Sequence, residues 1–441
     1  MPATRRRAGW LPAAVLVLFW VAASGRSALA DDTRPIWQIM GYGQSLSVGV
    51  LGTPAVTTRP SFGSLMFAEG IRRPLQGPAR LDALVPLVET DDRSRGETGI
   101  AAAADMFVRT LAALRGIEPD RLDVALLGSS AGRAGARLAA LLPGKANYDG
   151  LLQLIGAGDT LARAEGRGYR YLATLWSHGE TDQLYGTPRE TYVARLKQLA
   201  AAIAADAARL SGQDWQPPLL TYQPASHLAY LARGRPETPR RPEIALALRE
   251  AARKNPSIFC VLPLYIGDFR DDVHATNLTY QEIGKYYGRA LARLVHARET
   301  GAPVPPLALD LAAADWNGRE VRLRFAVPRG PLAFDTGRVA AAPHMGFDLW
   351  DPNGELRPDA ITGVRITAPD GIVISFAEPP PSGSRLTYAF GRPGDPERTG
   401  RLEGPRGNLR DSDGEQGSYV DAMGQTRRLD NWALIFETVA P

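Results

Sequence analysis

Residues 36–49 decide the fold, and they read IWQIMGYGQSLSVG. The first five residues form a β-prone run, and Ser45 follows it between Gly43 and Gly49. A serine just past the carboxyl end of a buried strand stands where open α/β sheets place their functional sites. Glycines on both sides let the backbone turn tightly and leave the hydroxyl accessible. Taken alone, the same stretch also fits an ordinary strand-to-helix connection.

Short β-prone runs alternate with longer helical segments from residue 36 to about residue 297. The predicted strands lie at 36–40, 122–127, 171–176, 219–222 and 258–262. The predicted helices lie at 101–115, 151–164, 189–210, 243–254 and 280–296. Strand–helix alternation over this length predicts an α/β fold, with a parallel sheet covered by helices on both faces.

The pattern changes near residue 299. Residues 301–306 (GAPVPP) have the composition of a stiff, extended linker. Beyond them the apolar residues recur with a period of two, and turn signals such as PNG at 352–354 separate the runs. The sequence therefore predicts an α/β domain at 31–298, a linker at 299–308 and a small antiparallel, sandwich-like β-domain at 309–441.

The excess of basic over acidic residues lies in the first thirty residues of the chain. The whole chain has 51 Lys+Arg against 47 Asp+Glu, and the first thirty residues hold four arginines and no acid, so the rest is balanced. A nucleic-acid partner therefore lacks support from composition. The order of RRR at 5–7, the apolar run at 13–23 and ALA at 28–30 predicts a signal peptide at 1–30, cut after Ala30. No later segment is long and apolar enough to span a membrane.

Asp271 and His274 lie between the last predicted strand and the last predicted helix. An Asp three residues before a His can hold the Nδ1 side of the ring while Nε2 faces a nucleophile in the same cleft. This arrangement orients the base and stabilises the imidazolium. The pair is therefore a candidate partner for Ser45.

Two further segments carry polar groups near the predicted sheet. Residues 177–182 (SHGETD) directly follow the third predicted strand, and residues 96–99 (GETG) open an Ala-rich helix. Backbone N–H groups at a helix N-terminus are suited to stabilising a developing oxyanion.

Together these segments resemble the SGNH (GDSL-like) hydrolase superfamily, in particular its sialate O-acetylesterase and acetylxylan esterase-like branch. The Gly-Gln-Ser block is matched at 43–45, and the Gly-Glu block, which usually continues with Ser and an acid or amide, at 179–182. The Asp-x-x-His block is matched at 271–274 and is followed by a helix with Gly284. For the remaining block, a Gly ahead of a small-residue helix, Gly96 is the first choice and Gly99 the reserve. The four blocks occur in the family's order.

The resemblance implies a role for each matched residue. It implies Ser45 as nucleophile, His274 as general base and Asp271 as the carboxylate that orients it. The oxyanion hole is expected from the N–H groups of Ser45 and Gly96. The family commonly has Gln before its Gly-Glu pair, whereas this chain has His178, whose value as a third donor depends on its tautomer.

Other polar residues near the strand ends are expected to line the substrate cleft. They are Gln44, Glu180, Ser129, Arg133 and Gln223. For Glu180, a buried carboxylate that ties loops together is an equally good interpretation.

Ser130 offers a competing nucleophile. Residues 128–132 (GSSAG) fit the Gly-x-Ser-x-Gly pattern after a good strand, which is the nucleophile-elbow context of α/β-hydrolases. This interpretation leaves the Gly-Gln-Ser segment unexplained and ranks second.

The sequence thus predicts an exported serine esterase that removes O-acetyl or other acyl groups from a carbohydrate or polysaccharide through an acyl-enzyme. Two alternatives stay open: a non-catalytic glycan-binding protein on the same fold, and an α/β-hydrolase that uses Ser130. No cofactor or metal is expected, since Cys260 is the only cysteine and the sequence contains no phosphate-binding or dinucleotide motif. The oligomeric state is left open.

Overall fold

The computed structural model describes residues 1–2, 33–74, 79–367, 369–415 and 417–441. Apart from its first two residues, the predicted signal peptide with its cleavage site after Ala30 lies outside the described part. Within these ranges, no helix has the length and apolar character that crossing a bilayer requires. Residues Arg34–Pro441 form one compact unit.

Seven strands build the central sheet, and six helices accompany it. The strands are β1 (Ile36–Gly43), β2 (Leu65–Phe67), β3 (Leu84–Pro86), β4 (Ala125–Ser130), β5 (Tyr169–Ser177), β6 (Leu219–Gln223) and β7 (Ile258–Pro263). The helices are α1 (Ile100–Arg115), α2 (Ala146–Ala164), α3 (Glu180–Leu184), α4 (Arg189–Ser211), α5 (Glu243–Lys254) and α6 (Asn277–Thr300). The spatial order is β3-β2-β4-β1-β5-β6-β7, in which only β3 runs antiparallel to its neighbour.

Strand β1 lies at the centre of the sheet, and all eight of its residues are buried. Successive residues of a strand point to opposite faces. Trp37 packs edge-on against Phe107 of α1, with 6.4 Å between ring centroids, whereas the Gln38 amide donates to the Leu154 carbonyl of α2. Helices therefore cover both faces, and the predicted α/β architecture is confirmed.

The C-terminal part is built from antiparallel strands. They are β8 (Asp310–Asn317), β9 (Glu320–Ala326), β10 (Ala333–Phe334), β11 (Phe347–Trp350), β12 (Ile361–Thr367), β13 (Gly371–Phe376), β14 (Arg385–Tyr388), β15 (Leu409–Arg410), β16 (Ser418–Val420), β17 (Thr426–Arg428) and β18 (Phe436–Val439). They form a four-stranded sheet (β12-β13-β9-β8), a three-stranded sheet (β11-β14-β18) and the ribbons β10-β15 and β16-β17.

The two larger C-terminal sheets meet through their apolar faces. Burial alternates along β9, where Val321, Leu323 and Phe325 are buried, as their period of two predicts. Phe325 contacts Phe436 of the three-stranded sheet edge-on, with 5.8 Å between ring centroids. This contact is the core of a sandwich-like arrangement, in agreement with the predicted antiparallel β-region.

The C-terminal segment docks on the α/β part through Gln223 at the end of β6. Its amide donates to the carbonyls of Ala245 and Ile435, both at 2.9 Å, and its carbonyl accepts the Ile435 N–H at 2.6 Å. Gln223 is fully buried. The prediction that it lines a substrate cleft is therefore wrong, because both polar atoms of its side chain are engaged, with Ile435 of the C-terminal part and with Ala245 of the α/β part. The exact domain limits at 298 and 309 stay a prediction.

We expect Gln223→Leu to lower the free energy of unfolding by several kcal/mol, because each buried group left unpaired costs about 1–3 kcal/mol. Chemical denaturation with two probes, one in each part of the chain, measures the effect. Gln425→Leu, the same change at an exposed position, is the control and leaves stability near that of the wild type. Equal stability of the two variants would contradict this account of the junction.

Candidate active site

A sharp turn at the carboxyl end of β1 presents Ser45. Gly43 has a φ of +137°, and a Cβ there would lie 2.2 Å from the Ser177 carbonyl oxygen, so only glycine fits. The Gln44 N–H donates to that same carbonyl at 3.0 Å. Ser45 then begins a short 3₁₀ helix, Ser45–Val48, and is 6% exposed. The hydroxyl therefore lies at the sheet edge where the predicted site was placed.

His274 and Asp271 reach Ser45 from the loop between β7 and α6. The His274 Nε2 lies 2.9 Å from Ser45 Oγ, and its Nδ1 lies 2.8 Å from Asp271 Oδ2. The other oxygen of Asp271 accepts the backbone N–H groups of His274 at 2.7 Å and Val273 at 3.1 Å. The structure thus brings the three predicted triad residues into one chain of hydrogen bonds.

Asp271 is held as an anion by this arrangement. Partial burial opposes its ionisation, but the hydrogen bonds from the His274 ring and from the two backbone N–H groups outweigh it and lower the pKa of Asp271 to about 2. The ionised carboxylate of Asp271 accepts a hydrogen bond from the Nδ1–H of His274. Nε2 then carries no proton and accepts the hydrogen bond of the serine hydroxyl.

The buried side chain of Gln44 stabilises the turn that carries Ser45. Its oxygen accepts the N–H groups of Thr181 at 3.0 Å and Gly179 at 3.4 Å. The predicted contact of Gln44 with substrate is wrong, because its side chain ties the serine turn to the start of α3.

Glu180, the first residue of α3, is buried beside the triad. Neither carboxyl oxygen has a hydrogen-bond partner within the described ranges, although the Tyr222 hydroxyl approaches them. Burial raises the pKa of Glu180 to about 7, and the proximity of Tyr222 and His274 opposes this shift only in part. A proton on Glu180 at neutral pH makes it a donor as well as an acceptor.

His178 does not face the serine. It is fully buried, with Nε2 3.0 Å from the Ala136 carbonyl oxygen and Nδ1 2.9 Å from the Tyr192 hydroxyl. Donation from Nε2–H to the carbonyl leaves Nδ1 as acceptor for the hydroxyl, and burial lowers the pKa of the ring, so it stays neutral. The predicted donation from His178 to an oxyanion is wrong, because both ring nitrogens are already engaged.

Gly96 is also unavailable as an oxyanion donor. Its N–H donates to the Gly49 carbonyl at 2.9 Å, and a Cβ there would lie 2.4 Å from the Gly52 carbonyl oxygen. The reserve candidate Gly99 packs against α6, where a Cβ would lie 2.5 Å from the Tyr280 carbonyl oxygen. Both glycines are needed for close backbone packing, so the prediction for Gly96 is corrected.

Gly132 offers an N–H group next to the serine turn, and the sequence analysis did not single it out. It follows β4, the strand next to β1, and a Cβ there would lie 1.8 Å from Ser47 Oγ. Its N–H makes only a long contact of 3.5 Å with Ser130 Oγ. The signal that could have found it is its position after a strand, since the carboxyl ends of parallel strands meet at one edge.

The other candidate residues after β4 differ in their exposure: two serines are buried and one arginine is exposed. Ser129 is buried and accepts the Gln38 amide at 2.9 Å, so it cannot contact substrate as predicted. Ser130 is buried and donates to the Ser47 carbonyl at 2.7 Å, so its hydroxyl supports the serine turn and, among the residues that the structure describes, pairs with no base. Arg133 is exposed, and its N–H donates to the Gly43 carbonyl at 2.9 Å, beside the site.

Comparison with solved structures finds proteins of similar fold. A carbohydrate acetylesterase from Xanthomonas citri matches with a TM-score of 0.57 and 16% identity, over 92% of this chain and 80% of that one. A carbohydrate acetylesterase from Sinorhizobium meliloti has a TM-score of 0.33 and 12% identity, over 59% of this chain and 99% of that one. An aryl esterase from M. smegmatis has a TM-score of 0.33 and 11% identity, over the same shares. The last two scores are too low to support an argument.

No protein-family model matches the chain, and no curated protein matches it. The Xanthomonas citri structure covers both the α/β part and the β-region. The chain shares the fold of this carbohydrate acetylesterase, in agreement with the fold that the resemblance to the SGNH superfamily implied.

Proposed function

We propose that the protein is a serine esterase that removes acyl groups, foremost O-acetyl, from a carbohydrate. The observation that carries the proposal is the hydrogen-bonded succession of Ser45, His274 and Asp271 at the carboxyl edge of the sheet. The fold shared with the Xanthomonas citri carbohydrate acetylesterase supports an acylated carbohydrate or polysaccharide as substrate. Export after cleavage at Ala30 remains part of the proposal.

In this mechanism Ser45 Oγ attacks the ester carbonyl while His274 Nε2 takes the hydroxyl proton. Asp271 stabilises the imidazolium that forms. Collapse of the tetrahedral intermediate breaks the ester bond, and the imidazolium gives its proton to the departing sugar oxygen. Water, activated by the same imidazole, then attacks the acyl-enzyme and releases the carboxylic acid.

The oxyanion hole is assigned to the N–H groups of Ser45 and Gly132. In the described part of the chain, the Ser45 N–H donates to no acceptor, and the Gly132 N–H has only its long contact with Ser130. Amide donors that are not already engaged can bind a developing oxyanion without reorganisation.

Arg133 is the proposed contact to the carbohydrate. Glu180, whose carboxyl oxygens are buried, is assigned the structural role of a buried carboxyl near His274 instead of a contact with the sugar. Arg133 is exposed at the rim and offers a planar set of donors.

We expect Ser45→Ala to lower kcat/KM for an activated acetate ester by at least about 10⁴-fold, because the variant has no nucleophile. Ser130→Ala is the comparison: it removes the hydrogen bond to the Ser47 carbonyl that supports the serine turn, and we expect it to lower kcat/KM by no more than about 10-fold. Circular dichroism checks that both variants fold. Full activity in Ser45→Ala with loss in Ser130→Ala would move the nucleophile to Ser130.

The carbohydrate assignment has its own test. We expect the wild-type chain to release acetate from acetylated polysaccharides, and Ser45→Ala to bind them without releasing acetate. Chromatography of the released acid, with a sugar acceptor present in parallel, separates hydrolysis from acyl transfer. Binding without acetate release by the wild-type chain would instead favour the glycan-binding alternative.

The buried carboxyl of Glu180 predicts a pH-dependent stability. Its pKa is about 7 in the folded chain against an ordinary 4.5, so the folded state keeps a proton that the unfolded chain has released. The stabilisation is complete below about pH 4.5 and is lost as the pH rises through about 7. The loss is roughly 3 kcal/mol.

We therefore expect Glu180→Gln to show a flatter decline in stability between pH 5 and pH 8 than the wild type. Denaturant titrations at these pH values measure it. Glu118→Gln, at an exposed position, serves as control and follows the wild type. If the stability of Glu180→Gln declines with pH as steeply as that of the wild type, Glu180 does not hold a proton in the folded chain and this account is wrong.

A further inference from the structure

One segment of the C-terminal β-region reaches the triad. Residues 398–401, between β14 and β15, lie against residues 267–276, the loop that carries Asp271 and His274. We call the first the clamp segment and the second the triad loop. Their contacts are mainly polar and involve both backbone and side chains.

The clamp segment holds Asp272 in a strained conformation. Asp272 has a φ of +64°, in the left-handed region that costs a residue with a side chain about 1–2 kcal/mol. Its Oδ1 accepts the Thr399 N–H at 3.0 Å and lies 3.2 Å from Arg398 Nε. Strained backbone persists where the surroundings over-determine it. In the sequence, Asp272 lies between Asp271 and His274, so its backbone conformation affects the positions of both.

A second contact holds the start of the triad loop. The Arg401 N–H donates to the Gly267 carbonyl at 3.1 Å, and its Nε donates to Asp268 Oδ1 at 2.8 Å. Gly400, with a φ of +100°, permits this approach, because a Cβ there would lie 2.8 Å from the Gly267 oxygen. The Asp268 carbonyl in turn accepts the Thr276 N–H at 2.9 Å, which closes the triad loop at its base.

The contacts on this side of the loop are mainly polar, and Phe269, which lies against Gly400, is the apolar exception among the described contacts of the clamp segment. A cavity of about 260 Å³ lies there, and its lining is largely polar and charged, including Asp268, Arg270, Thr276, Arg338 and Arg401. Hydrogen bonds and ion pairs therefore fix the loop from the C-terminal side.

We propose that the clamp segment positions Asp271 and His274, so that the β-region is part of the esterase's catalytic apparatus. Arg401 and Asp272 are positioning residues in this account, since they touch the loop and not the reacting atoms. The inference rests on the proposed function for its kinetic consequence. A displacement of about 1 Å at reacting groups can lower a rate by about 100-fold.

The kinetic test uses the full chain with Arg401→Ala and Asp272→Gly. Glycine at 272 tolerates the positive φ, so that variant removes the contact without backbone strain. We expect each variant to lower kcat for an acetate ester by about 10- to 100-fold with little change in KM. Arg401→Lys, which keeps the cation near Asp268, recovers part of kcat.

Arg249→Ala is the matched control. Arg249 of α5 also joins the two parts of the chain, but its guanidinium donates to Asp310 Oδ1 and the Leu311 carbonyl at the start of β8, not to the clamp segment or the triad loop. If Arg401→Ala and Asp272→Gly keep the kcat of Arg249→Ala at matched stability, the clamp segment has only a structural role and the proposal is overturned.

Hydrogen exchange provides a readout that needs no turnover. The N–H groups of Val273 and His274 both donate to Asp271 Oδ1. We expect them to exchange faster in Arg401→Ala than in Arg249→Ala or the wild type. Unchanged exchange in Arg401→Ala would refute the clamp, whereas a wild-type chain that is protected at these positions but hydrolyses no ester would count against the proposed function alone.

Discussion

The hydrogen bond between Ser45 and His274 joins positions 229 residues apart, and the site depends on it. Contacts far from the two side chains contribute to its geometry. Helix α6, which begins just after His274, packs so closely on α1 that a Cβ at Gly284 would lie 2.1 Å from the Gly99 carbonyl oxygen. A larger residue at either glycine would push α6 outward and carry the imidazole away from the serine. Close backbone packing between the two helices is therefore one constraint on the geometry of the proposed chemistry, beside the contacts of the clamp segment.

Sequence patterns predicted those parts of the site whose geometry depends on residues close together in the chain. A β-prone run followed by Gly43 and Ser45 placed the hydroxyl at a sheet edge, since parallel strands end there together. The three-residue spacing of Asp271 and His274 allowed the contact with Nδ1, and the structure has that contact. The strands and helices of the α/β part lie close to their predicted positions, because their apolar patterns are long and regular.

Features that depend on spatial neighbours could not be predicted in this way. Strand β1 pairs with β4 and β5, so the loop after β4, with Gly132, borders the serine, while Gly96 follows none of the parallel strands. His178 follows β5, as predicted, but its ring points into the core. The spacing of residues in the sequence does not determine the direction of a side chain. The bonds of Gln223 to Ile435 cross 212 residues and depend on how two separately predicted regions meet.

The most direct measurement is the reaction of the folded chain with a fluorophosphonate, followed by mass spectrometric identification of the modified residue. The reagent phosphonylates a serine hydroxyl that a neighbouring base has activated. We expect the adduct on Ser45, and its loss when His274 is changed to Ala. An adduct on Ser130, or a folded chain that stays unmodified, would contradict the convergence of these segments into a working nucleophile.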